Sequence, residues 1–219
     1  MSARDGFGWP LKLVPSADEE TARPDAELVM ALLSGQPGAA RAIWDRHSGS
    51  VYRFLARALG PSGQDIEDLT QEVFLRIFSR ASAIRDPTAL RDFALSVAVR
   101  VLKWELRRRW VRRRVLLTDS GDLPEPTDGD RDVGEEAEAR HALRRCYQIL
   151  ERLGPRERAA FSLRFMEGMT MEEVAARMNV SLSTAKRLVS RSAAIVAAKV
   201  ESDRDMCAFF IDRGTEGST

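Results

Sequence analysis

The sequence predicts an all-α protein: two small helical domains joined by an acidic flexible linker, the second containing a helix-turn-helix. Three observations lead there. Apolar residues recur at spacings of three and four through most of the chain, and no alternating run competes as a strand. Between positions 118 and 134, Gly121, Pro124, Pro126, Gly129 and Gly134 stand among acids, a composition that cannot bury a core. Towards the C-terminal end, a short helical pattern, a tight turn and a longer helical pattern follow one another. The expected divisions are an N-terminal extension over 1–24, a first domain over 25–114, a linker over 115–137, a second domain over 138–200 and a tail over 201–219.

Each element has its own signal. Residues 1–24 carry Pro10, Pro15 and Pro24 with little periodicity and read as an extension. Asp25 is the expected N-cap of a helix over Ala26–Leu33, and Gly35 to Gly38 separates it from a second helix over Ala39–Leu59. After a break at Gly60 to Gly63, Ile66, Leu69, Val73, Ile77 and Phe78 lay an apolar stripe along an amphipathic helix. Its other face holds Asp65, Asp68, Glu72 and Arg76. Asp86 and Pro87 open a long helix, with proline in the first turn where its missing amide donor costs nothing. Leu95, Ala98, Leu102 and Leu106 carry that helix to an end near Arg114. Beyond the linker, helical patterns cover 136–152, 155–167, 171–178 and 182–200.

A length of 219 residues and a hydrophobic content of 44% suffice for buried cores. The net charge of +1 alone argues against a nucleic-acid partner, but it hides a segregation. From Arg91 to Arg114 nine basic residues face two acidic ones, whereas from Asp119 to Glu138 nine acidic residues face only Arg131. Such blocks mark surfaces with different partners. Cys146 and Cys207 stand far apart with no CxxC neighbour, so neither a disulfide scaffold nor a zinc site is expected. The sequence shows no signal peptide and no run approaching the ~20 apolar residues of a membrane span, so a cytoplasmic protein is expected.

The most specific local pattern is the helix-turn-helix. Thr170 with Glu173 three residues later forms a capping box that satisfies orphan amides at a helix start. Met171, Val174, Ala175 and Met178 form the inner face, Asn179 suits a left-handed turn, and Ser181 is the N-cap of the following helix. In that helix Ala185, Leu188, Ser192 and Ile195 point inward. Ser183, Thr184, Lys186, Arg187, Ser190 and Arg191 are left outward, a face whose hydroxyls and cations suit phosphates and guanine edges in the major groove. The alternative is a helical hairpin with a solvated basic face. The basic run carries Trp104 and Trp110 among its arginines, an arrangement fit to neutralise phosphates and stack on exposed bases, although either tryptophan also suits a core.

The stretch Asp65-Ile-Glu-Asp-Leu-Thr-Gln-Glu-Val-Phe-Leu-Arg-Ile-Phe78 resembles the polymerase-binding region of sigma-70-family factors of the extracytoplasmic-function group. Leu90 to Arg109 resembles the promoter-melting and minus-ten-reading region of that family, and Leu153 to Gly168 with the helix-turn-helix resembles its minus-thirty-five-binding domain. The resemblance covers 25–114 and 138–199. It implies that Asp65, Asp68, Gln71 and Glu72 face the beta-prime clamp of core RNA polymerase, with Leu69 and Phe74 supporting them from the apolar side. It further implies minus-ten contacts by Arg85, Thr88, Arg91, Arg100, Lys103, Trp104, Arg107 and Arg108. Minus-thirty-five contacts fall to Ser181, Ser183, Thr184, Lys186, Arg187, Ser190 and Arg191. The implied partners are core polymerase through its clamp and beta flap, promoter DNA, and an anti-sigma factor, with no membrane. Phe93, Arg100 and Trp104 stand where the family most often has Trp, Asn and Asp, and Ala185 and Arg187 replace commoner recognition-helix residues, so promoter sequence does not carry over.

Two other function classes compete. A stand-alone regulator with a response-regulator-like helix-turn-helix would need only the second domain. An enzyme is disfavoured, since His47 and His141 are isolated and no nucleophile, phosphate-loop or metal-ligand constellation is present, so no catalytic residue, cofactor or metal is expected. The Cys207-Ala-Phe-Phe210 segment suggests a small apolar patch in the tail.

Overall fold

A computed structural model describes residues 23–60, 65–84, 86–119 and 135–203. The expected arm, Arg85, the central linker and the Cys207 patch lie outside them. Among the described residues there are helices and no strands: α1 (Asp25–Leu33), α2 (Ala39–Leu59), α3 (Ile66–Ser79), α4 (Leu90–Asp119), α5 (Glu135–Glu151), α6 (Pro155–Phe161), α7 (Met171–Met178) and α8 (Leu182–Glu201).

The apolar stripes of α1 to α4 meet in one core, where Leu28, Ile43, Phe54, Leu55, Phe74, Ile77, Leu90 and Leu102 are fully buried. Each such side chain contributes about 1.5–3 kcal/mol on burial. Trp44 packs edge-on against Phe74, with ring centroids 4.9 Å apart. Asp25 does not cap α1; Pro24 holds that position. Its carboxylate instead accepts hydrogen bonds from Arg46 at 2.6 Å and His47 Nε2 at 3.1 Å, tying α1 to α2. His47 is thereby a buried structural residue.

Asp86 caps a 3-10 turn over Pro87–Ala89 that leads into α4, accepting from the Thr88 amide at 2.9 Å and the Thr88 hydroxyl at 2.5 Å. At 30 residues α4 is about 45 Å long. It runs past the expected end near Arg114 to Asp119.

The second group of helices buries Leu163, Val174, Met178, Ala185 and Leu188, which continue the same apolar cluster as Leu28, Ile43 and Leu102. The helical run expected over 155–167 is α6 followed by a π turn over Ser162–Met166, closed by Glu167 N–H to Ser162 O at 3.1 Å. These helices do not stand apart from the first group: α6 and α7 pack on α4, and the π turn reaches α2.

Candidate nucleic-acid interface and acidic helix face

The helix-turn-helix forms through local chemistry. The Thr170 hydroxyl accepts from the Glu173 amide at 3.2 Å while the Glu173 carboxylate accepts from the Thr170 amide at 2.8 Å. Asn179 adopts the left-handed region at φ 54°, ψ 57°, which lets its amide and that of Val180 close on the last carbonyls of α7. Ser181 Oγ accepts from the Thr184 amide at 3.3 Å and lies within hydrogen-bonding distance of the Ser183 and Thr184 hydroxyls. The Ser181 hydroxyl thus caps α8 while staying exposed at the start of the helix.

Along α8, Ala185, Leu188 and Ser192 are buried and Ile195 half-buried, while Ser183, Lys186, Arg187, Ser190 and Arg191 are exposed and Thr184 is half-buried. Three cations and two hydroxyls thus share one solvent face on the helix following the tight turn. That arrangement suits insertion into a major groove.

The second basic surface is α4. Arg91, Arg100, Trp104, Arg107 and Arg108 are exposed, and Thr88 is exposed just before the helix, although its hydroxyl is engaged by Asp86. Trp104 is 52% exposed with the Arg108 guanidinium 5.4 Å from its ring centre, and Arg114 lies 4.6 Å from that of Trp110. Both indoles therefore reach solvent beside a cation, and Trp110 is not core. Glu105 is fully buried beneath them. Burial opposes its ionisation, but hydrogen bonds from Arg108 and Arg109 outweigh burial and hold its carboxyl below the ordinary range. The guanidiniums of Arg108 and Arg109 approach it to 2.8 and 2.6 Å.

Lys103 departs from the expected pattern. It is half-buried, and its ammonium donates to the Met178 carbonyl at 3.2 Å. Burial first, then the charges of Arg156 and Arg100, lower its pKa from the ordinary lysine value.

On α3, Asp68 and Gln71 are exposed and Glu72 half-buried, the last in an ion pair with Arg76 at 2.6 Å. Leu69 and Phe74 are 6% and 1% exposed, so they belong to the core behind this face and not to any contact surface. Leu75, not singled out from the sequence, is 63% exposed. It follows Asp68, Gln71 and Glu72 by seven, four and three residues, hence on their face. Its signal was an apolar residue off the stripe. Asp65 is half-buried at the start of this helix, its carboxylate 3.7 Å from Arg108, so the acidic face adjoins the basic one.

Comparison with known proteins identifies the family of the chain. The family model described as Sigma-70 region 2 matches residues 43–112, and that described as Sigma-70, region 4 matches residues 143–194. The chain is 30% identical over 156 residues to the ferric citrate uptake sigma factor FecI of Escherichia coli strain K12, covering 68% of this chain and 84% of that protein. It is 31% identical over 159 residues to the RNA polymerase sigma-E factor of Streptomyces avermitilis, covering 72% and 83%. It is 26% identical over 164 residues to the ECF RNA polymerase sigma factor SigX of Bacillus subtilis strain 168, covering 74% and 84%. Among solved structures, CnrH in complex with the cytosolic domain of CnrY matches with a TM-score of 0.53 at 20% identity over 82% of this chain and 98% of that one, a likeness of fold.

Proposed function

The chain belongs to the sigma-70 family, extracytoplasmic-function group, and from that premise we propose that it is a specificity subunit that binds core RNA polymerase and directs promoter recognition, melting and initiation. The observation that carries this reading is the presence on one chain of an acidic, apolar-tipped helix face and two separate basic helix faces. One protein surface and two DNA surfaces are what a promoter-directing subunit requires. A stand-alone regulator is not favoured, because it leaves the match of residues 43–112 to region 2 without a purpose.

In this proposal Asp68, Gln71, Glu72 and Leu75 meet the polymerase clamp. Leu75 supplies the desolvated centre that charged contacts alone lack. Arg91, Arg100, Trp104, Arg107 and Arg108 engage the minus-ten segment, the tryptophan stacking on a base freed from the duplex and the arginines neutralising phosphates. Lys186, Arg187 and Arg191 engage the minus-thirty-five element, with Ser183 and Ser190 on phosphates. Chemistry stays with polymerase, and the chain supplies no catalytic group. No helix among the described residues is long and apolar enough to cross a membrane, and the cytoplasm is the compartment this role assigns.

The test is reconstitution. Purified chain with core polymerase is expected to give a promoter-dependent transcript that core alone does not. The pair Asp68→Ala with Glu72→Ala is expected to weaken core binding by about tenfold, the worth of one to two interfacial charge contacts, while leaving duplex binding by the second domain unchanged. Undiminished transcription by that variant would remove α3 from the proposal.

A further inference from the structure

Glu105 belongs neither to the polymerase face nor to either DNA face, yet it sits in the middle of the basic helix. It follows exposed Trp104 on α4, is itself 0% exposed, and is the only buried carboxylate among the described residues. Enclosing a carboxylate is costly, and an apolar side chain of similar volume is often neutral or stabilising in its place. The charge therefore points to a use other than holding the core.

Both carboxylate oxygens are occupied by the next turn of the same helix. Arg108 Nη2 donates to Oε1 at 3.2 Å, Arg108 Nε lies 2.8 Å from Oε2, and Arg109 Nε donates to Oε1 at 2.6 Å. Burial opposes ionisation of the carboxyl, but the bonds from Arg108 and Arg109 outweigh it, so the group is charged at neutral pH. Arg108 in turn holds its guanidinium 5.4 Å from the ring centre of Trp104, which is 52% exposed. A buried anion, a cation bound to it and an indole against the cation thus follow one another outward from the core. An arginine alone on a helix surface samples many rotamers, and its planar fork keeps one orientation where a carboxylate takes two of its donors. The other anion within reach of Arg108 is Asp65 at 3.7 Å, a pair in which both side chains are nearly half exposed and the hold is weaker.

We propose that Glu105 is a positioning residue of the minus-ten surface: its buried carboxylate holds Arg108 against one face of Trp104, so that a fixed indole presents its opposite face to a single unpaired base. A platform already ordered loses less freedom when a base lands on it than a mobile one does. The role is indirect, because Glu105 is enclosed and acts through Arg108. Loss of its charge leaves Asp65 as the anion nearest Arg108 and releases the guanidinium from the indole. This inference deepens the sigma-factor reading and rests on it for the strand that carries the base.

The test combines substitutions in the chain with removal of single bases from DNA. Full-length chain is assembled with core RNA polymerase on a fork-junction DNA made from a promoter that the wild-type holoenzyme transcribes. Abasic sites are placed one at a time along its unpaired minus-ten strand. The base that stacks on Trp104 is the one whose removal weakens wild-type binding by about tenfold and leaves Trp104→Ala unaffected. Glu105→Gln is expected to shrink that penalty to about threefold or less, while penalties at other positions, core polymerase binding and the thermal midpoint stay as in wild type. Arg108→Met should shrink it equally, and adding Glu105→Gln to Arg108→Met should change it no further. Glu105→Met fills the site without polar atoms and should repeat the glutamine result if that variant folds poorly. An undiminished penalty in Glu105→Gln, a loss spread evenly over all positions, losses that add between Glu105→Gln and Arg108→Met, or no base whose penalty depends on Trp104 overturns the proposal. In the free chain, the Arg108 Nε–H resonance should stand apart in wild type and merge with those of exposed arginines in Glu105→Gln. A wild-type resonance already among the exposed ones overturns the proposal whatever polymerase does. Absence of any transcript from the wild-type holoenzyme instead defeats the sigma-factor reading, and the Arg108 resonance then still decides whether Glu105 holds the arginine.

Discussion

Adjacent residues on α3 divide between folding and binding. Phe74 is 1% exposed and packs on Trp44 and Phe78, whereas Leu75 is 63% exposed on the acidic side. Phe74→Ala removes a core ring and should cost about 3–5 kcal/mol in urea unfolding. Leu75→Ala should leave the unfolding midpoint within experimental scatter and weaken core polymerase binding, measured by titration with fluorescent chain. The reverse pattern would place Phe74, not Leu75, at the polymerase contact. The family resemblance includes Phe74 in the polymerase-binding motif, as support from the apolar side, and passes over Leu75. Periodicity alone separates the two: Phe74 follows Thr70 and precedes Ile77 on the buried side, and Leu75 falls off it. Trp110, equally suited to core or surface by its chemistry, is settled only by where α4 stands relative to its neighbours.

At the scale of elements, the helix-turn-helix depends on three local devices whose strengths can be ranked. Thr170→Ala opens the capping box and should lower stability by about 1 kcal/mol, while Thr170→Ser should not, as thermal denaturation would report. Asn179 holds φ 54°, so Asn179→Ala should cost about 1–2 kcal/mol whereas Asn179→Gly should be close to neutral. Equal losses for alanine and glycine would mean that the side chain, not the backbone, makes the turn. All three devices are legible in the sequence because each is a short-range bond between named residue types. Helix ends without such devices are less legible. The end expected near Arg114 gives way to one at Asp119, because nothing after Arg114 breaks a helix before Gly121. The π turn over Ser162–Met166 has no local signature either. It is closed by Gly168 at φ +69° and by Arg164 donating to the Met169 carbonyl at 2.6 Å.

For the whole molecule, the docking of one helical group on the other is the feature the sequence does not disclose. Its partners are separated by about a hundred positions, and no periodicity links Arg158 to the carbonyls of Ala58 and Leu59. Which contact dominates follows from magnitudes. The Arg57–Glu167, Arg113–Glu151 and Arg177–Asp92 pairs all keep one partner partly in solvent, where an ion pair contributes about 0.2–1 kcal/mol and weakens with salt. Hydrogen bonds from a charged group contribute about 1.5–3 kcal/mol each, and Arg158 makes two with neutral acceptors inside the interface. Salt screens ion pairs but has little hold on those two. Burial pulls the Arg158 pKa down from its ordinary value to about 10. The docked state therefore binds fewer protons only above about pH 10, and rising pH favours docking only there. Between pH 6 and 9 both states keep the proton, and the linkage vanishes. Radii of gyration from solution scattering should accordingly stay constant from pH 6 to 9 and rise only slightly from low to moderate salt. Arg158→Met, which keeps bulk and removes both donors, should expand the chain even at low salt, since it strands two helix-terminal carbonyls. Expansion of wild-type chain by moderate salt to the dimensions of the Arg158→Met variant would transfer the leading role to the peripheral ion pairs.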